Sequence, residues 1–501
     1  MTDTQYYFLC LVLSFLSTLL LKSLFKKPSK TLRLPPSPPA LPLIGHLHLL
    51  GHSLYKSLHN LSIKYGPLLY LRLGASRCLV VSTASLATEI FKTNDLVFSD
   101  RPSFAFSDRL PYGNYGFFIA RYGDYWRFIK QLCMSELLST RQLEKSHDVR
   151  HEEIVRFLLK ALESAKKQHV FDVGAELMKL TNNSTCRLAM SMRCSEEHDE
   201  AERITQLVKE SMEVGAKILL GDVLGPLRIL AFWLYGKKAI NVTLKYDAIL
   251  ERMLKQHEES PKKENEDLMD ILLKVYQDDK AEFKINRTHL KAFLLDLFVA
   301  GTSTSSEAMQ WTIAELINHP NIFNKVREEI KSVVGSTRLV EESDVSSLPY
   351  LQAVVKEALR LHPPSPVVVR ESREDCKIKG FDIPKKTMVA INVYAIMRDA
   401  KIWNCPNDFQ PERFLLSSEE KYGMEYIPFG AGRRVCPGSK LALGMIHTTV
   451  AAMVQCFDWR VGREGDHAKV NMQVAPSFSM PMAQPFICLP VVHFNPFTSS
   501  M

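Results

Sequence analysis

The chain is expected to fold as a mainly α-helical protein with a minor β region, a single large domain behind an N-terminal membrane anchor. Helical periodicity covers most of the body, only a few short alternating runs read as strands, and 501 residues pass without an internal repeat or a second linker. Apolar residues make up 46% and charged residues 24%, enough for a large buried core and too apolar for a disordered chain. Lys+Arg 63 against Asp+Glu 55 leaves +8, a mild excess that suits an anionic membrane surface or an acidic partner and does not call for nucleic acid. Ten cysteines without one C-x-x-C pair argue against a disulfide scaffold or a zinc ribbon.

Residues 1–25 hold the first element. Tyr6 to Phe25 is 20 positions, nearly all apolar, about the length that crosses a bilayer as a helix. Only Asp3 precedes the run, while Lys22, Lys26, Lys27, Lys30 and Arg33 lie in or after it. A cleaved secretory signal would have its basic residues first, so an uncleaved anchor is expected, with the rest of the protein in the cytosol. The basic and proline-rich stretch 26–45 follows, with Pro35, Pro36, Pro38, Pro39 and Pro42 making a stiff extended hinge. Residues 46–501 are expected to form one large globular domain.

Within that domain, strands are expected over 67–73, 78–82 and parts of 376–391. Helices are expected over 143–165, 201–216, 242–259, 266–278, 287–318, 322–335, 348–361 and 441–454. His147 and His151 stand four apart as in a metalloprotease helix, but Asp148 replaces the glutamate and charges surround them, so a solvated face is the better reading.

The 287–318 helix is interrupted at its centre by Ala300-Gly301-Thr302-Ser303-Thr304-Ser305-Ser306, poor helix formers that need a reason. One reason is a notch where another helix crosses closely; another is a small polar groove opened by hydroxyls that bond back to the helix. Glu357 and Arg360 sit at i, i+3 and can pair, a common surface device when taken alone. They gain weight from 409–414, Phe-Gln-Pro-Glu-Arg-Phe, and above all from 428–438, Pro-Phe-Gly-Ala-Gly-Arg-Arg-Val-Cys-Pro-Gly. There Cys436 precedes a helix, whose N-terminus favours a thiolate. Gly430, Gly432 and Gly438 permit tight turns, and Arg433 and Arg434 can bind carboxylates. Such a set fits an iron ligand whose cofactor carries acid groups. A phosphate loop fails on spacing, zinc would need more thiols, and an ordinary buried cysteine explains neither the glycines nor the arginines.

In this order and spacing, together with Trp126-Arg127, these motifs resemble the cytochrome P-450 family over essentially the whole chain. The nearest likeness is to microsomal plant monooxygenases of the subgroups that oxidise triterpenoids and flavonoids. The resemblance implies the cytochrome P-450 fold, haem b (iron protoporphyrin IX), and electrons from NADPH through a separate NADPH-cytochrome P-450 reductase. It also implies a lipophilic small-molecule substrate and a single-pass location in the endoplasmic reticulum membrane.

Residue by residue, it makes Cys436 the axial thiolate and metal ligand, with Phe429 and Gly438 shaping its loop. Arg434, Arg370, Trp126 and Lys130 would hold the haem propionates. Glu357, Arg360 and Arg413 would form a structural charge network. Thr304 would organise water for proton delivery. The family usually has an acid just before it, where this chain has Ser303. The proton would then come through water alone or from Glu307, one turn further on. Phe104, Phe106, Leu294, Phe298, Ala300, Val367, Val368 and Phe478 are the expected substrate pocket. A pentacyclic triterpenoid is the leading expectation. Flavonoid or isoflavonoid oxidation, a haem-thiolate isomerase or dehydratase, and a non-catalytic haem protein are the alternatives.

Overall fold

The computed structural model describes residues 32–102, 110–193, 232–259, 266–280, 283–415, 422–462 and 469–497, with positions 7, 14, 206, 207, 210, 211 and 214. Among the described residues, ten helices of at least ten residues carry the fold: α1 (Leu54–Tyr65), α2 (Asp124–Glu136), α3 (His147–Lys167), α4 (Val173–Met190), α5 (Lys237–Glu259), α6 (Leu268–Gln277), α7 (Arg287–Asn318), α8 (Pro320–Val334), α9 (Pro349–Leu361) and α10 (Ser439–Cys456). Nine strands accompany them: β1 (Leu68–Leu73), β2 (Ser76–Val81), β3 (Phe171–Asp172), β4 (Val367–Glu371), β5 (Cys376–Ile378), β6 (Phe381–Ile383), β7 (Met388–Asn392), β8 (Phe457–Val461) and β9 (Ile487–Val492). They form one sheet of order β1-β2-β7-β4, one of order β3-β9-β8, and the β5-β6 hairpin.

The 32-residue α7 forms over the interval that the periodicity marks, and its ends explain why. Asn286 Oδ1 accepts the His289 N–H at 2.9 Å while His289 Nδ1 accepts the Asn286 N–H at 3.0 Å, a reciprocal cap. Pro320 cannot continue the helix and instead opens α8. At about 1.5 Å per residue α7 reaches about 48 Å, threading the core.

Three helices, α1, α2 and α4, escape the periodicity. In α4, Thr181, Asn182, Asn183 and Ser184 are all buried, which interrupts the apolar stripe that marks a helix. They are satisfied internally: Thr181 Oγ1 donates to Thr302 O at 2.8 Å and Ser184 Oγ to Leu180 O at 2.9 Å. Helix α2 starts after Gly123 without a side-chain cap. The expected 143–165 helix divides at Ser146 into a short turn and α3, and α5 begins before residue 242. The 201–216 helix falls outside the described residues apart from the isolated positions. Strands β3, β4, β8 and β9 were also not expected.

The proline stretch is less of a free hinge than its composition suggests. Pro36 O accepts the Tyr70 N–H at 2.9 Å, and His46 bonds Pro38 O at 2.8 Å and the Arg72 N–H at 2.8 Å, fastening residues 36–46 along β1. Gly45 has φ +62, and a Cβ there would stand 2.0 Å from Arg72 O, so only glycine fits. The anchor expected over 1–25 lies outside the described residues apart from positions 7 and 14. Among the described residues no helix is long and apolar enough to cross a membrane.

The largest apolar cluster joins α3, α4, α7, α8, α9 and α10 to the β8–β9 pair. A second joins α2, α4, α5, α6 and the first half of α7. Two more cover the faces of the four-stranded sheet. The candidate site lies where the centre of α7, the start of α10 and β4 converge.

Candidate active site

Residues 427–438 turn the chain into α10. Gly430 and Gly432 have φ of +71 and +74. A Cβ on Gly432 would lie 2.5 Å from Asp95 Oδ1 and 3.0 Å from Phe91 O, so that position requires glycine. Gly438 differs from expectation: its φ is −83, and it serves as the N-cap of α10. The Cys436 N–H donates to Phe429 O at 3.1 Å, and the Ala442 N–H to Gly438 O at 2.9 Å. Burial pushes the Cys436 thiol up, and the Gly438 N–H only partly offsets that. The helix end alone does not hold this sulfur as a thiolate; a bound metal cation would.

Arg434 and Arg370 are buried, as a carboxylate-binding role requires, and Arg433 turns outward to pair with Asp95 at 2.9 Å. Arg434 donates to Ser99 O, Phe118 O and Ala120 O, and Arg370 donates to Arg434 O at 3.4 Å. Trp126 lies under Arg434, its ring centre 4.7 Å from the guanidinium, while its Nε1–H donates to Phe117 O at 3.1 Å. Lys130 sits 5.2 Å from the same ring and donates to Arg433 O at 2.6 Å.

A third cation, Arg101, completes the group, and sequence reasoning missed it. It donates to Val369 O, and its buried Nε has no partner. Nothing but a following proline marks it in the sequence. Burial, then mutual repulsion with Arg370 and Arg434, lowers the Arg101 pKa, while Arg370 and Arg434 fall to about 9 and about 10, burial again leading. Among the described residues none of the three makes a salt bridge. A thiol ligand beside buried guanidiniums that lack carboxylates is the donor set that haem, with its iron and two propionates, matches.

Across from the loop, the centre of α7 shows the expected close crossing and the back-bonding hydroxyls, on different faces. Toward α4, a Cβ on Gly301 would meet Thr185 Oγ1 at 2.7 Å, so glycine makes the close crossing. Elsewhere Thr304 Oγ1 donates to Ala300 O at 2.7 Å and Ser303 Oγ to Val299 O at 3.4 Å, with the helix unbroken. Glu307 is buried; its Oε1 accepts from Ser479 Oγ at 2.9 Å, and its Oε2 has no partner. Burial pushes this carboxyl up to about 8, with Ser479 and the Met480 N–H pulling the other way.

Glu357 and Arg360 are far from a surface pair, both with side chains 0% exposed. Arg360 grips Glu357 through two bonds of 2.7 and 2.9 Å and reaches Met397 O and Pro406 O. Arg413 adds a bond to Glu357 at 3.1 Å. Tyr422 Oη donates to Arg413 O and Tyr426 Oη to Lys356 O, tying this network to the segment that enters the cysteine loop.

The expected pocket residues do not all meet. Phe104 and Phe106 lie outside the described residues. Leu294 and Phe298 are buried in the cluster with Tyr112, Ile129 and Phe293. At roughly 100° per residue they fall opposite Ala300, which is exposed on its helix. Val367 and Val368 point to opposite faces of β4, and Val368 is the one that approaches Gly430. Phe478 is half-buried beside Ser479.

Comparison with known proteins agrees with this geometry. The family described as Cytochrome P-450 matches residues 35–489. Arabidopsis thaliana cytochrome P-450 705A22 is 44% identical, covering 99% of this chain and 98% of its own. Glycine max β-amyrin 24-hydroxylase is 41% identical over 100% of both chains, and Glycine max 3,9-dihydroxypterocarpan 6A-monooxygenase 40% identical over 95% and 96%. A zebrafish cytochrome P-450 solved with abiraterone superposes with a TM-score of 0.73 at 26% identity, covering 88% of this chain and 99% of that one. The chain belongs to the cytochrome P-450 family. It is a haem b monooxygenase that inserts one oxygen atom from O2 into a lipophilic small molecule, with NADPH electrons arriving through a separate reductase.

Proposed function

We propose that the substrate is a hydrophobic plant specialised metabolite, a pentacyclic triterpenoid. The full-length likeness to a β-amyrin 24-hydroxylase carries this reading. The aliphatic Val368, on the face of β4 that approaches Gly430, supports it, since it offers apolar wall without a polar anchor. A flavonoid-type substrate is the second reading, favoured by the comparable likeness to a pterocarpan monooxygenase. The protein works as a single-pass protein of the endoplasmic reticulum membrane, held by residues 1–25 with its catalytic domain in the cytosol.

Cys436 would ligate the iron, and Arg434, Arg370 and Arg101, flanked by Trp126 and Lys130, would hold the propionates. When bound, haem b supplies the electron chemistry that splits O2, placing one atom in a substrate C–H bond and releasing the other as water. The protein supplies positions and protons. Because the Thr304 hydroxyl spends its proton on Ala300 O, its lone pairs are left to accept from an ordered water. Ser303 can hold that water but cannot acidify it. Glu307, protonated at neutral pH and one turn away, is the proton reserve, relayed through water from its unpartnered Oε2.

Expression in microsomes with a reductase, followed by feeding triterpene and flavonoid panels, tests the substrate assignment. NADPH-dependent hydroxylation of a triterpene is expected. Turnover confined to the flavonoid panel selects the second reading, and turnover of neither panel sinks both.

A further inference from the structure

The segment 116–120 backs the arginine cluster. The Phe117 ring stacks on Trp126 at 5.5 Å and meets Phe293 edge-on at 6.2 Å. Phe118 O and Ala120 O accept from Arg434, and Arg101 lies 4.4 Å over the Phe118 ring. This strap therefore carries the wall against which the proposed propionate ligands rest.

Beside the Phe117–Phe293 contact, its other edge is hydrogen-bonded to α7 through a carboxylate. Asp296 Oδ2 accepts the Phe118 N–H at 2.8 Å, and the Phe117 N–H also donates to this carboxyl. The fit is close, because a Cβ on Gly116 would stand 2.8 Å from Oδ2 and 3.2 Å from Oδ1. By helical spacing, Asp296 shares one stripe of α7 with Ala300, Ser303 and Glu307. A single carboxyl thus links the stripe facing the proposed pocket to the strap behind the arginines.

We propose that Asp296 is a positioning residue for substrate: it latches the 116–120 strap to α7 and so sets the shape of the pocket beside Ala300. The inference rests on the pocket assignment made above. Among the described residues Asp296 makes no salt bridge. Tyr125 of α2 faces it, and its Oη donates to Tyr115 O at 2.6 Å; the Tyr115 ring lies 4.4 Å from His289, on the same helix as Asp296. Arg434 and Arg101 face the strap from the far side. Enclosure raises the Asp296 carboxyl from 3.8 to about 7, with the two N–H groups opposing. The closed latch therefore binds a proton more tightly than an open, solvated one. Closure weakens as pH rises between those values and levels off above about 7.

Hydrogen exchange of the peptide covering 110–123, in full-length haem-loaded protein and corrected for the intrinsic pH dependence, reads the latch directly. The native strap should open more readily at pH 8 than at pH 5. Asp296→Asn, which keeps an acceptor but cannot ionise, should flatten that dependence, and Asp296→Leu should speed exchange about tenfold at every pH. Pocket shape is read by Soret titration with two probes, imidazole and the bulky trityl imidazole. Asp296→Leu should weaken the bulky probe at least about fivefold and leave imidazole within about twofold. Unchanged exchange, or equal shifts for both probes, overturns the proposal. If Asp296→Leu fails to load haem, Gly116→Ala, whose Cβ pushes the strap from the carboxyl, must give the same pattern or the proposal falls. A native protein that binds imidazole but never the bulky azole refutes the pocket assignment itself, and exchange still decides the latch.

Discussion

Glu357 carries two guanidiniums in a place where no water reaches it, so the charge itself is the fastening. Glu357→Gln leaves Arg360 buried without a counter-ion. That should cost about 3–5 kcal/mol and release the 397–414 segment that leads into the cysteine loop. Denaturant unfolding and Soret absorbance check this together: the variant should be less stable and mostly pigment-free, and normal pigment with normal stability would contradict it. Glu307 makes a second prediction. Its carboxyl is raised from 4.5 to about 8, so the folded state holds a proton that the unfolded chain has released, and stability falls as pH rises across that window. Thermal melts from pH 5 to 9 should show a smaller fall for Glu307→Gln than for the native chain. Ser303→Asp, restoring an acid beside Thr304, should lower hydrogen peroxide leakage per NADPH consumed; an unchanged leak would make Ser303 immaterial to proton delivery.

At the scale of elements, α7 was readable because its signals are local: helical periodicity over 287–318 and a proline just beyond its end. Helix α4 was not, because its buried polar residues make sense only against α7, and no pattern within 173–190 announces that partner. The same limit explains Arg101 and Asp296, each isolated in sequence and each given meaning by residues far away in the chain. The cysteine loop was legible for the opposite reason, since its turns, arginines and ligand all fall within eleven residues. Along α7, the segment 294–300 was read as one wall, and the helix turns Leu294 and Phe298 away from Ala300. The α4–α7 crossing yields a test of its own. Gly301→Val would place a side chain against Thr185, should cost about 1–3 kcal/mol, and should lower the melting temperature.

For the whole molecule, the fold class came through because long amphipathic helices dominate it, while β8, β9 and the docking of residues 36–46 on β1 depend on pairings between distant segments. The membrane reading concerns residues 1–25. Alkaline carbonate washing of microsomes should leave the full chain in the pellet and release a variant lacking those residues; release of both would refute the anchor. Above all stands the sulfur of Cys436, with buried Cys133 close enough to feel its charge. The decisive measurement is the absorbance of reduced, carbon monoxide-treated protein, comparing the native chain with Cys436→Ser and Cys133→Ser. Native and Cys133→Ser proteins should show the red-shifted Soret band of thiolate-ligated haem, and Cys436→Ser should lack it. A folded, haem-loaded native protein without that band, or a Cys436→Ser protein that keeps it, would contradict the account.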